Sequence, residues 1–380
     1  MKLSFYFFPI LLLALSGNLF SQDSTALVHG DGYSLSFIVE VYYSKSVNKA
    51  SDTINIARFS VGGKFVDEFR LNNLRMYAKY NKEKIRANFT LQVGDIPELL
   101  AFPQEQFMKF INVANLGYSP LKDFWLDAGY LPDPIGYESS SPYFNQLTMI
   151  SVGGYYEPSN FIGIRASYDF SPKVSASIFY GNPYTLRFGR NKHFNLQTSL
   201  TVKPVDQIFF QYSTLFGNQQ TVGNDPKLNQ FYNNFILTYS PFDYLNFVGQ
   251  FDFAMQTNSK TKVTGVDTTL DWAYMVSGFL QAQYFFLPNF SITGRAQLFS
   301  DPDGFLTGNL YPAYYTSTAS YKGMGMNLYG FTVGLEYKPY NNFYIRGEYT
   351  YEMTDKGQNV FNGLTASHRH TTLFSAGVKF

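Results

Sequence analysis

From Lys84 to Val93 the chain alternates without a break. Ile85, Ala87, Phe89, Leu91 and Val93 are apolar, while Lys84, Arg86, Asn88, Thr90 and Gln92 are polar. Successive side chains of an extended strand point to opposite faces, so a period of two predicts one oily and one wet face. The same period marks Leu35, Phe37, Val39, Val41 and Tyr43, and again Phe194, Leu196, Leu200 and Val202. It returns in Leu245, Phe247, Phe251 and Phe253, in Tyr329, Phe331, Val333, Leu335 and Tyr337, and in Ile345, Tyr349 and Tyr351. Sixteen strands are predicted, at 33–45, 71–81, 83–94, 109–118, 122–131, 160–171, 173–182, 192–203, 206–216, 229–240, 243–256, 272–286, 289–300, 326–338, 341–354 and 369–380.

The connections fall into two kinds that take turns. Asn81-Lys82, Ser119-Pro120-Leu121, Ser171-Pro172, Pro204-Val205, Ser240-Pro241-Phe242, Leu287-Pro288 and Pro339-Tyr340 read as tight turns. Proline cannot donate to a ladder, so it marks turns and strand starts. Between them lie longer connections at 46–70, 95–108, 132–159, 183–191, 217–228, 257–271, 301–325 and 355–368. Short turns on one rim and long loops on the other predict an all-β fold: an up-and-down antiparallel transmembrane β-barrel with periplasmic turns and extracellular loops. Closure pairs every backbone group inside hydrocarbon and leaves no edge strand. With about sixteen strands the lumen is wide enough for water.

Composition narrows the class further. Charged residues are 15% of the chain, below the roughly 25% of soluble domains, and aromatics are 19%. Such a surplus of Phe and Tyr suits girdles at two lipid–water interfaces. Cys is absent, which removes disulfides, thiolate-bound zinc and iron–sulfur clusters. A net charge of +1 excludes a polybasic nucleic-acid binder. Residues 1–21 have the Lys2 start, the apolar Phe5–Leu15 run and the small Ser16, Gly17 and Ser21 of a secretory signal peptide. Residues 22–32 are then a short N-terminal segment, and 33–380 one barrel domain. After residue 22 no run of 18 apolar residues occurs, so helices do not cross the membrane.

Thr371 to Phe380 places Phe374, Ala376, Val378 and Phe380 on one face. A last strand ending in Phe resembles the signal read by the barrel-assembly machinery of outer membranes. Trp125 to Glu138 reads WLDAGYLPDPIGYE, a strand, a Gly and then Pro-x-Gly-Tyr-Glu; Phe161 to Asn182 is a Gly-led strand, a Ser-Pro turn and a strand ending Gly-Asn. With the Tyr42-Tyr43 opening strand, these stretches resemble the OmpL-like β-barrel porin family of Gram-negative outer membranes. Two positions depart from that pattern: Tyr130 follows Gly129 where a base is expected, and 146–154 holds no Arg. The resemblance implies an integral outer-membrane protein that passes small hydrophilic solutes. A homotrimer is common in similar porins.

Parity turns Glu40, Arg75, Lys79, Arg86, Asp127, Arg165, Asp169, Asp252, Arg295, Glu336, Arg346, Glu348 and Glu352 toward the lumen. Both signs are present, which predicts weak ion selectivity and a transverse field; the same charges can also pair across strands and stabilise the wall. The longest connection, 132–159, is predicted to fold into the lumen and narrow it, with Tyr137 and Glu138 at the constriction. Leu99, Leu100, Phe107 and Phe110 have helical spacing, so 95–108 reads as a short rim helix or a second lumen segment.

No catalytic constellation emerges. His368 and His370 share a strand face but lack further ligands for a metal. His193 has no Gly-x-Ser-x-Gly partner, and Asp301-Pro302-Asp303-Gly304 reads as a turn. The expectation is a non-enzyme without cofactor or metal. Alternatives from other classes are a channel selective for sugars or anions, with Tyr42, Tyr77 and Trp125 stacking on solute, and a non-conducting barrel that anchors a surface partner or serves secretion.

Overall fold

Residues that alternate in sequence form strands because only an extended backbone sends neighbouring side chains to opposite solvents. A computed structural model describes residues 28–47, 59–100, 108–182, 193–219, 228–263, 266–307, 325–361 and 365–380. The signal-peptide segment and parts of the long connections lie outside the described residues.

A three-residue strand, β1 (Val28–Gly30), precedes the barrel. The barrel strands are β2 (Tyr33–Val47), β3 (Phe69–Lys82), β4 (Ile85–Val93), β5 (Ile111–Tyr118), β6 (Phe124–Leu131), β7 (Phe161–Ser171), β8 (Val174–Gly181) and β9 (Asn195–Val202). They continue as β10 (Ile208–Asn218), β11 (Asn229–Phe242), β12 (Leu245–Val263), β13 (Val266–Leu287), β14 (Phe290–Asp301), β15 (Met326–Tyr340), β16 (Phe343–Thr354) and β17 (His368–Lys379). Each pairs antiparallel with its sequence neighbour, and β17 returns to β2, with Phe374 opposite Tyr43 and Val378 opposite Val39. Sixteen strands thus close one barrel. The short β1 pairs with the start of β2, Val28 opposite Leu35.

The outer face is apolar. Leu116, Leu280, Phe331, Leu335 and Phe374 stand exposed on it. Aromatic rings gather near the short turns, where Phe290 stacks on Tyr337 at 4.3 Å and Phe242 on Tyr244 at 5.1 Å. A second set, Phe69, Phe216, Phe231, Trp272 and Tyr329, is exposed toward the loop end. Two rings of aromatics bracketing an apolar band are the interface girdles of a barrel that crosses a bilayer.

Three sequence expectations need correction. The segment 257–271 is not a loop, because β12 and β13 run on through it as a ladder that pairs Ser259 with Leu270 and Val263 with Val266. Thr257, Thr261, Thr268 and Thr269 give this stretch the β-branched character that sustains a strand. The prolines of Ser240-Pro241-Phe242 and Pro339-Tyr340 do not make the turns. Both lie at the ends of strands, at register shifts between Tyr239 and Phe242 and between Tyr337 and Tyr340. A bulge accommodates a residue that cannot donate, and the turn follows it.

The third correction concerns the inward face, which is not polar along its whole length. Toward the loop end it becomes apolar: Phe161, Phe179, Leu215, Tyr232, Met275, Phe299 and Leu328 turn in and are buried. Phe59, Ile135, Val152, Tyr156, Phe305, Leu306 and Phe361, from the connections, complete one cluster with them. At about 1.5–3 kcal/mol per buried large side chain, this cluster holds the long connections inside the barrel mouth. Asp301 supports it by accepting hydrogen bonds from the amides of Phe305, Leu306 and Thr307.

Candidate functional site

The inward segment begins where β6 ends. Its first limb is held by uncharged amides. Gln197 of β9 donates to Asp133 (2.5 Å), and Gln211 of β10 donates to the Pro134 carbonyl. Asn234 of β11 accepts from the Gly136 amide at 3.2 Å, and Gln250 of β12 accepts from Tyr137 at 2.8 Å. Gln281 of β13 donates to Gln146 at 2.5 Å.

The second limb is held by charge. Arg75 of β3 donates to the Ser140 carbonyl at 3.0 Å and to its hydroxyl at 2.8 Å. The buried Glu40 accepts from Ser141 (2.9 Å) and from Tyr344 (3.0 Å). Arg346 donates to the carbonyls of Pro142 (2.8 Å) and Asn145 (2.5 Å) while pairing with Glu336 at 2.5 Å. Glu348 accepts from the amides of Thr148 and Met149. Arg295 pairs with Glu138 at 2.5 Å and donates to Met149. Buried guanidinium and carboxylate groups require such partners, because an isolated charge in a dry site is costly.

A local helix, α1 (Asp95–Leu100), and a one-turn helix, α2 (Val152–Tyr156), lie in the connections. Ser151 caps α2 by accepting from Gly154, as N-cap serines do. Ile96 of α1 packs with Val61 and Ile150, so the start of 95–108 turns inward. Gly62 closes this contact. Its φ is +84°, and a Cβ there would lie 2.2 Å from the Thr148 carbonyl oxygen, so only glycine fits.

The sequence-predicted residues fall into distinct groups. Glu40, Arg75, Arg295, Arg346 and Glu348 bind the inward segment directly. Glu352 pairs with Arg369, and Glu336 with Arg346, across adjacent strands. Asp127 is shared by Arg86 (2.5 Å) and Arg165 (3.6 Å). Arg86 sits on β4 and Asp127 on β6; they meet across Gly117 of β5, where a Cβ would lie 2.4 Å from Asp127 Oδ1. Arg86 also lies over the Trp125 ring at 4.2 Å. Lys79 and Asp169 are exposed near the short turns. Asp252 is buried and accepts from Asn234 and Gln250, each at 2.7 Å, and from Ser277 at 3.2 Å. Gln250 also donates to Glu157, whose carboxyl is held well above the usual range by burial and by Asp252.

Tyr137 and Glu138 have different surroundings. Tyr137 packs edge-on to Phe279 at 6.3 Å and borders an open space of about 410 Å³ with Gln146, Phe209, Gln211, Thr238 and Asn246. Glu138 is almost fully enclosed, bound to Arg295 and to Ser151. Tyr42 is buried and donates to Asp95 at 2.6 Å, so its ring does not face solute. The charge-led reading overlooked the amides Gln197, Gln211, Asn234, Gln250, Gln281 and Gln297. Their inward parity on successive strands was the signal available.

His368 and His370 have ring centroids 5.9 Å apart, and His370 Nδ1 lies 2.6 Å from the Tyr349 hydroxyl. Among the described residues no group of three or more His, Asp and Glu gathers around a metal-sized space, and no helix is long and apolar enough to cross a membrane.

A family model described as "Putative beta-barrel porin-2, OmpL-like" matches residues 32–380. No curated protein sequence matches the chain. The outer membrane channel DcaP of Acinetobacter baumannii superposes with a TM-score of 0.58 at 11% identity, over 92% of this chain and 97% of that one. OmpF of Salmonella typhi, solved with daunomycin, gives 0.59 at 12% identity, over 93% and 99%. The trimer form of Vibrio cholerae OmpT gives 0.55 at 10% identity, over 92% and 100%. These likenesses are of fold.

Proposed function

Because the chain belongs to the OmpL-like β-barrel porin family, and so is an integral outer-membrane porin, we propose that its pore is set by the inward segment 132–159. Small hydrophilic solutes diffuse through the water left beside that segment. The observation carrying this reading is the run of hydrogen bonds from Gln197 round to Arg75, which ties one connection to strands on most of the wall. In this reading Tyr137 edges the constriction and Glu138 anchors it through Arg295. Family and fold point to a channel rather than an enzyme.

Deleting 138–152 and recording single channels in planar bilayers tests the proposal. Conductance at fixed salt is expected to rise at least twofold, because the lumen of a sixteen-strand barrel is far wider than the residual space. Unchanged conductance sinks it. We further propose export by the 1–21 signal, assembly through the strand ending at Phe380, and a homotrimer. The trimeric form of the OmpT neighbour supports the last.

A substrate-selective channel is the second reading. Phe144 favours it: the ring sits on the inward segment, yet is 53% exposed. Current block by one solute class, with others passing freely, separates it from unselective diffusion.

A further inference from the structure

The two signs of charge on the inner wall are not equally accessible. Glu40, Asp127, Asp252, Glu336, Glu348 and Glu352 are all buried, at no more than 3% exposure. Of the inward acids predicted from parity, only Asp169 is exposed. Arg75, Arg295, Arg346 and Arg369 are buried as deeply, but four other cations reach water: the Arg86 and Arg165 side chains are 26% and 21% exposed, Lys79 is exposed and Lys379 is half-buried. Among these inward charges, those that reach water are mostly positive.

Lys79 and Lys379 stand out among these. Both flank β2 near the short turns, Lys79 opposite Ser34 and Lys379 opposite Ile38. Parity turns both side chains to the inner face, on the two strands that flank β2. Among the described residues no carboxylate lies within ion-pair distance of either, whereas Arg86, Arg165, Arg295, Arg346 and Arg369 each have one. Beside them is the exposed ring of Phe144, with Lys379 Nζ at 5.7 Å from its centroid and Tyr77 edge-on at 6.3 Å. The Tyr143 hydroxyl donates to the Asn341 carbonyl in a short turn, which fixes the depth of this ring in the barrel.

Two inward ammonium groups, neither within ion-pair distance of a carboxylate among the described residues, next to an accessible aromatic face suit one chemistry. We propose that the short-turn mouth of the pore carries an anion subsite formed by Lys79, Lys379 and Phe144, which takes a small carboxylate or phosphate joined to a ring. The anionic group pairs with Lys79 and Lys379, and the ring lies against Phe144. The proposal rests on the channel reading above and names its solute class.

The test uses the full chain in planar bilayers under a KCl gradient, with benzoate as ring plus charge, inorganic phosphate as charge alone and benzyl alcohol as ring alone. Folding of each variant is checked by heat-modifiable gel mobility. Wild type is expected to prefer chloride over potassium and to be blocked by benzoate. Lys79→Glu with Lys379→Glu is expected to reverse the ion preference and weaken benzoate block at least tenfold. Phe144→Ala is expected to weaken block by benzoate but not by phosphate, and benzyl alcohol is expected to leave the current unchanged. The milder Lys79→Gln with Lys379→Gln gives the same direction should the glutamates impair assembly. Calorimetric titration of benzoate into the detergent-solubilised barrel provides a readout independent of conductance. A pore that conducts with unaltered selectivity and unaltered benzoate binding in the lysine variants overturns the subsite. A barrel that never conducts yet loses benzoate binding in those variants overturns the channel and upholds the subsite. Loss of neither signal from a silent barrel overturns both.

Discussion

Two arcs of one wall use their charges differently. On β14, β16, β17, β2 and β3 the inward side chains Arg295, Arg346, Glu348, Ser375, Glu40 and Arg75 all reach the inward segment. On β4 to β8 the cluster Arg86–Asp127–Arg165 stays within the sheet. That arc meets the segment without charge pairs among the described residues: Arg165 donates to the Pro132 carbonyl at the segment's root, and Phe161 and Phe179 join Ile135, Val152 and Tyr156 in the apolar cluster. The first arc is a dry interface between wall and loop; the second is a wall facing water. Charge in the first binds the loop to the wall, and in the proposed pore charge in the second shapes the field that a solute meets.

Three experiments break or sharpen that contrast. The largest effect is expected from Arg346→Met. It leaves the carbonyls of Pro142 and Asn145 without their donor and Glu336 with only Lys338, at 3.2 Å. A loss of about 3 kcal/mol is expected in urea unfolding from lipid vesicles, together with a noisier channel. A second, smaller effect concerns Lys64, which is buried beside Asp95 in the connection before β3 and whose amine is lowered by burial to about 8. Its usual value is 10.5. Between these values the unfolded chain binds more protons than the folded one, so stability rises with pH. The gain from pH 8 to pH 9 is about 1 kcal/mol, and Lys64→Met abolishes this slope. A comparably small effect is expected of Arg86→Ala. Asp127 keeps Arg165 at 3.6 Å, so the cost is about 1 kcal/mol, read in the same unfolding assay. A cost equal to that of Arg346→Met would erase the distinction between the arcs.

The strands were legible because lipid and water impose opposite demands on adjacent residues, as in Ile85 to Val93. The order of short and long connections gave the topology, and Tyr43 opposite Phe374 supplies the closure that periodicity alone does not locate. What parity left hidden was depth along the strand. Leu215 and Phe299 lie on the same inward face as Ser213 and Arg295, yet meet an apolar cluster instead of water. The site was partly legible. Charged positions were visible as such, but a side chain's partner across the lumen is a tertiary fact. Nothing in a one-dimensional pattern tells that Gln250 reaches Tyr137 while Glu138 vanishes into a pair with Arg295.

The seam between β2 and β17 joins the two extremes of the strand order. Until the sixteenth strand arrives, β2 keeps a row of bare amide and carbonyl groups, and such an edge is not tolerated in hydrocarbon. The cylinder is therefore an all-or-nothing object in lipid. A half-inserted ribbon has no resting place there, and its exposed border must be shielded by water or by another protein's strand until the ends meet.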